Sequence, residues 1–184
     1  MYLSELRIKN FRCFDESNHI IKFNKGLNVL VGENDSGKSA IIDSIRYVLG
    51  TTDMTWNRLS PEEFYNENTS LEIEIICKFQ DFSIEEKAAF IECLSYEGVE
   101  REIECLYINW KGSYLNTYNP PRTITRMATG KDGNGNILSS EARELLRVTY
   151  LHALRDAYSE MSSGKNSRLS RVMQNISNID TGND

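Results

Sequence analysis

Eight consecutive residues, Gly32-Glu33-Asn34-Asp35-Ser36-Gly37-Lys38-Ser39, match the pattern G-x-x-x-x-G-K-[ST] at every specified position. The spacing has a chemical reason. Glycines at the two fixed positions let main-chain N–H groups turn inward around phosphate oxygens, where a β-carbon at positive φ would clash. A helix opening near Lys38 would aim its unsatisfied N–H groups and the positive end of its dipole at the same oxygens. The residues expected to bind nucleotide are therefore Gly32, Asn34, Asp35, Ser36, Gly37, Lys38 and Ser39. The Lys38 ammonium would sit between the β- and γ-phosphates of ATP, and the Ser39 hydroxyl would ligate Mg²⁺.

The neighbouring elements have the pattern such a loop requires. Leu27-Asn28-Val29-Leu30-Val31 reads as a mostly buried strand running into Gly32. After the loop, Ile41, Ile42, Ile45, Val48 and Leu49 fall on one helical face, with Gly50 as the stop. Upstream, residues 5–9 alternate as a half-buried strand, 20–23 form a second, and Asn24-Lys25-Gly26 a turn. Residues 51–69 read as a polar connector holding Trp56, Pro61 and Phe64. Leu71-Glu72-Ile73-Glu74-Ile75 alternates strictly, and Ser83-x-x-Glu86 has the form of a capping box opening a helix through about Leu94. Residues 103–110, 114–118 and 123–127 suggest an antiparallel meander, with a glycine-rich turn at 130–136. A short helix at 140–146 and a buried strand at 148–151 follow. Residues 159–166 read as a flexible loop, and Leu169, Val172, Met173 and Ile176 as one face of an amphipathic helix.

Composition narrows the class. The 184 residues are 40% hydrophobic with only 3 prolines, enough to bury a core. No stretch is long and apolar enough to span a membrane, and the first residues lack the form of a secretion signal. Four cysteines at 13, 77, 93 and 105 form no CxxC pair, so reduced thiols in a cytoplasmic protein are expected rather than disulfides or zinc. The net charge of −6 is uneven: +1 over 1–50, −10 over 51–110 and +3 over 111–184. An acidic middle disfavours a phosphate backbone lying along that segment.

The opening Leu6-Arg7-Ile8-Lys9-Asn10-Phe11-Arg12-Cys13-Phe14, with the glycine loop and the helix ending at Gly50, resembles the ABC-type ATPase heads of the SMC and RecF group. Residues 143–157 (RELLRVTYLHALRDA), followed by Ser167-Arg168-Leu169-Ser170, are similar to the heads of the OLD family (overcoming lysogenisation defect), ATP-dependent nucleases with a C-terminal Toprim domain. The resemblance implies an α/β P-loop fold, a mixed sheet with an antiparallel meander, and only the first lobe of a head at residues 1–157. A flexible loop and amphipathic helix would follow at 158–184, in a head either truncated or naturally short. It implies ATP and Mg²⁺ as ligands, a homodimer of heads, contact with DNA only through the full-length assembly, and a role in phage defence or DNA repair. It also makes Arg12 a candidate nucleotide contact, a surface arginine being the alternative.

No run of four apolar residues leads into Asp-Glu, no LSGGQ-like segment occurs, and the acidic constellation of a Toprim nuclease has no counterpart. No catalytic residue is therefore assigned, and the isolated chain is expected to bind ATP weakly or not at all and not to hydrolyse it appreciably. Gln80 is a minor candidate for sensing the γ-phosphate, and His19 and His152 read as structural. A RecF- or SMC-type repair ATPase and a non-hydrolysing dimerisation or partner-binding module are the alternative functions. The lack of an NKxD motif disfavours a GTPase.

Overall fold

A computed structural model of the chain describes residues 1–51, 59–99 and 102–151. Residues Met1–Val148 form one compact unit, and the account below concerns that unit. The expected boundary near residue 157, the loop and helix after it, His152 and Trp56 lie outside the described residues.

Six strands form one sheet: β1 (Tyr2–Lys9), β2 (His19–Lys22), β3 (Ile73–Gln80), β4 (Leu94–Glu97), β5 (Ile103–Leu115) and β6 (Arg122–Thr129). Their order is β2-β1-β3-β5-β4, with β6 paired to β5 beyond β4, and every pairing is antiparallel. A single parallel bridge, Thr51 to Val148, lies outside these strands. Among the described residues, three α-helices accompany the sheet: α1 (Lys38–Leu49), α2 (Ile84–Phe90) and α3 (Ser140–Leu146).

Alternation along the strands builds the core in register. Leu6 faces Cys77, which faces Ile108; Ile8 faces Ile75, which faces Trp110. All six are buried. Ala40, Val48 and Leu49 of α1 join the same cluster, as do Phe11, Leu59, Phe64, Phe90 and Ala142. On the opposite face, Ile76, Cys105 and Tyr107 form a smaller cluster. It is roofed by Glu97, which accepts from Lys78 Nζ at 2.6 Å and Tyr107 Oη at 2.5 Å.

Local signals located several elements closely. The capping box is complete: Ser83 Oγ accepts from Glu86 N–H at 3.2 Å, and the Glu86 carboxylate accepts from Ser83 N–H at 2.8 Å. Its helix ends at Phe90, short of the expected Leu94, because Leu94 begins the next strand. Ser83→Ala should therefore lower unfolding stability by about 1 kcal/mol, measurable by urea denaturation; no change would mean that the cap adds nothing beyond the packing of Phe90.

Three expectations are corrected. Residues 27–31 are not a buried strand. They run outside any ladder, with Leu27, Val29 and Val31 at 91%, 71% and 89% exposure. A strand is stabilised by its neighbours, and among the described residues none pairs with this segment. The two strand candidates at 103–110 and 114–118 are one long strand, since Gly112 does not break it. A Cβ at Gly112 would lie 2.5 Å from the Trp110 ring, so glycine makes room for the indole. Residues 148–151, expected buried, are half-buried or exposed. The connector is also less polar than its sequence suggests, because Leu59 and Phe64 enter the core at 4% and 1% exposure.

Candidate functional site

The site starts where α1 begins. Gly37, its N-cap, holds φ +88° in the left-handed region and offers no capping side chain. The first turn bond runs from Ile41 N–H to Gly37 C=O at 3.0 Å. The N–H groups of Lys38, Ser39 and Ala40 therefore precede the helical ladder, and no acidic side chain occupies the first turn to compete with an incoming anion. Asp35 also turns through positive φ, at 62°.

Two features of the loop bear on what it could hold. A Cβ on Gly37 would come 2.9 Å from Cys13 Sγ, and one on Gly32 would come 2.7 Å from Ser36 Oγ. At Gly37 the positive φ favours glycine, whereas at Gly32 the Ser36 hydroxyl would have to turn aside for a side chain. The Lys38 ammonium folds back into the loop: it donates to Gly32 C=O at 2.9 Å, to Ser36 Oγ at 3.2 Å and to Glu33 C=O. A cation so placed bonds loop carbonyls that a phosphate oxygen can replace.

Asn34, Asp35, Gly37, Lys38 and Ser39 line one open cavity of about 390 Å³ together with Arg12, Cys13 and Ala40. Gly32 and Ser36 do not line it and meet the Lys38 ammonium instead. Five of the expected loop residues thus share the cavity with Arg12. Gln80 ends β3 and His19 pairs with Asp15 at 2.8 Å; neither lines this cavity.

Arg12 sits at positive φ, 49°, in the turn after β1. Its Nε and Nη2 donate to the two Glu63 oxygens at 2.6 and 3.1 Å, and its Nη1 donates to Asp43 at 2.6 Å. Its main-chain N–H also donates to Glu63 C=O at 2.9 Å. Hydrogen bonding to Glu63 is the main reason that its guanidinium is held above its ordinary pKa, outweighing burial; Asp43 adds to it. Asp43 in turn accepts from Arg46 at 2.8 Å. Burial, with Glu63 nearby, raises the Tyr47 hydroxyl in the same cluster. Asp43, Glu63 and Cys13 were not singled out from sequence. Glu63 stands 51 residues from Arg12, and no local pattern joins them.

A glycine loop opening a helix, packed against an antiparallel sheet, defines a P-loop ATPase of the kind found in SMC heads. The same fold occurs in a solved chain from a study of the structural biochemistry of ATP-driven dimerization and DNA-stimulated activation of SMC ATPases. Its TM-score is 0.54 and its identity 20%, over 94% of this chain and 96% of that one. Residues 1–179 match the AAA ATPase domain family, and the chain belongs to it. Among curated proteins it is similar to the DNA double-strand break repair Rad50 ATPase of Pyrococcus abyssi (40% identical over 45 residues, 24% of this chain and 5% of that one). It is also similar to the chromosome partition protein Smc of Pyrococcus furiosus (43% over 49 residues; 27% and 4%). A third relative is the DNA replication and repair protein RecF of Streptococcus suis (46% over 52 residues; 28% and 14%). These matches span a small part of each relative's length.

Among the described residues no helix is long and apolar enough to cross a membrane. None of their His, Cys, Asp and Glu side chains gather in threes to hold a metal ion.

Proposed function

We propose that this chain is the ATP-binding first lobe of an SMC/Rad50/RecF-like head, holding the triphosphate at residues 32–39 with Arg12 at its flank. The carrying observation is the cradle itself: Gly37 at φ +88° against Cys13, uncapped N–H groups at the start of α1, and the Lys38 ammonium among replaceable carbonyl partners. Lys38 would neutralise the β- and γ-phosphates and Ser39 would help hold Mg²⁺. When bound, the ion would supply charge neutralisation and phosphate orientation.

The exposed Leu27, Val29 and Val31 support the lobe reading, because three apolar side chains and an unladdered backbone suit a strand that pairs with sheet supplied from elsewhere. Hydrolysis needs a carboxylate to polarise water and charge stabilisation assembled in one place. We assign turnover to the larger assembly, a homodimer of heads, with DNA contact arising only there. The dimerisation named for the SMC structural neighbour supports that assembly. The curated relatives support DNA repair or chromosome maintenance as its setting. The finer reading, the ATPase part of an OLD-type endonuclease in antiviral defence, rests on the residue pattern at 143–157. A cytoplasmic location is part of the same proposal, supported by the kind of ATPase.

Cys13 offers a direct test. It is exposed, free and on the cavity wall. Mg-ATP should slow its alkylation by N-ethylmaleimide in proportion to occupancy while leaving Cys93 unchanged. Burial raises the Cys77 thiol and keeps it inert throughout. Cys13 labelling at an unaltered rate in saturating Mg-ATP would exclude nucleotide from this loop.

A further inference from the structure

Arg12 lines the cavity, yet its charge is already answered. Of a guanidinium's five N–H donors, three are taken by Glu63 and Asp43. The Nε/Nη2 fork, the geometry best matched to an oxyanion, is filled by the Glu63 carboxylate. Asp43 also accepts from Arg46, so Arg12 is met by carboxylates on two sides. The Glu63 and Asp43 side chains are 14% and 19% exposed, which limits screening of these pairs by solvent.

We propose that Glu63 sets the affinity of the phosphate pocket by competing with bound nucleotide for Arg12. This deepens the ATP-binding reading above and rests on it. A phosphate oxygen gains the Nε/Nη2 fork of Arg12 only by displacing the carboxylate. Glu63 also imposes its unit negative charge on an arriving polyanion. Its main-chain carbonyl holds Arg12 N–H, and Tyr65 N–H donates to Asn10 C=O at 3.2 Å. Residues 63–65 are thereby clamped to the turn that carries Arg12, so the carboxylate is fixed on the arginine rather than meeting it by chance. Its substitution changes the charge without removing the clamp. Glutamine at position 63 keeps the shape and one neutral acceptor, and releases the fork.

The test is calorimetric titration with Mg-ATP of the parent chain, Glu63→Gln, Arg12→Ala, the double variant, and Lys38→Ala as the site control. Glu63→Gln should bind roughly three- to tenfold more tightly, the scale of one removed charge at short range in a partly screened site. Arg12→Ala should weaken binding, and adding Glu63→Gln to it should change nothing further. A merely structural role for Glu63 would not yield this non-additivity. If Glu63→Gln unfolds, Asp43→Asn frees Arg12 Nη1 without touching residues 60–64 and should tighten binding in the same direction. Unchanged or weaker binding by Glu63→Gln, or an equal gain in the Arg12→Ala background, overturns the proposal while Lys38-dependent binding upholds the site. Failure of the parent chain to bind ATP at all overturns the site, and this inference with it.

Discussion

Lys38→Ala should lose ATP affinity on the order of 100-fold while the thermal midpoint of the apo chain stays within experimental error. The ammonium is the cavity-lining cation whose hydrogen bonds run only to the glycine loop: Gly32 C=O, Glu33 C=O and Ser36 Oγ. Charge-assisted hydrogen bonds are worth about 1.5–3 kcal/mol each, and about 3 kcal/mol corresponds to roughly two decades in affinity. The apo fold should register little of the change, since the lost bonds run to exposed loop oxygens that water can take up. Lys38→Arg should not rescue binding, because a planar fork does not fit where a compact ammonium meets three converging oxygens. Parental affinity in Lys38→Ala would place the triphosphate elsewhere on the molecule.

The second large effect is on stability. Phe64 lies in the 51–69 connector, whose composition reads as solvent-exposed, yet its side chain is 1% exposed and meets the Tyr114 ring edge-on at 6.2 Å between centroids. Its backbone bridges Phe11, itself fully buried. Phe64→Ala should cost about 3–5 kcal/mol, the usual range for emptying a buried aromatic site, and lower the melting midpoint by roughly 10 °C for a unit of this size. Ile84→Ala is the control: at 84% exposure it should shift the midpoint hardly at all. Equal effects at both positions would mean that the connector does not seal the core. Because Phe64 adjoins Glu63, the same variant should also loosen the grip on Arg12.

Legibility followed the range of the interaction. The capping box, the α3 boundaries at Ser140–Leu146 and the glycine stop after α1 were readable because their partners lie within four residues. The stripe of α1 was only partly so. Ala40, Ser44 and Val48 face inward, while Ile42 is 38% exposed, since the sheet chooses which side of the helix to cover. Gly112 reads as a break in a strand until the Trp110 ring is seen lying where its side chain would be.

From its residues alone this chain determined that a glycine loop of the P-loop pattern precedes a helix, since the positive φ at Gly37 and the order of Gly37, Lys38 and Ser39 are written in the loop itself. Only the tertiary structure decided that residues 27–31 stand without a ladder and that Arg12 is held by Asp43 and Glu63, 31 and 51 residues away. The physical reason is that strand pairing and ion pairing are properties of neighbours in space. A carboxylate distant in sequence bears no mark of the arginine it will meet.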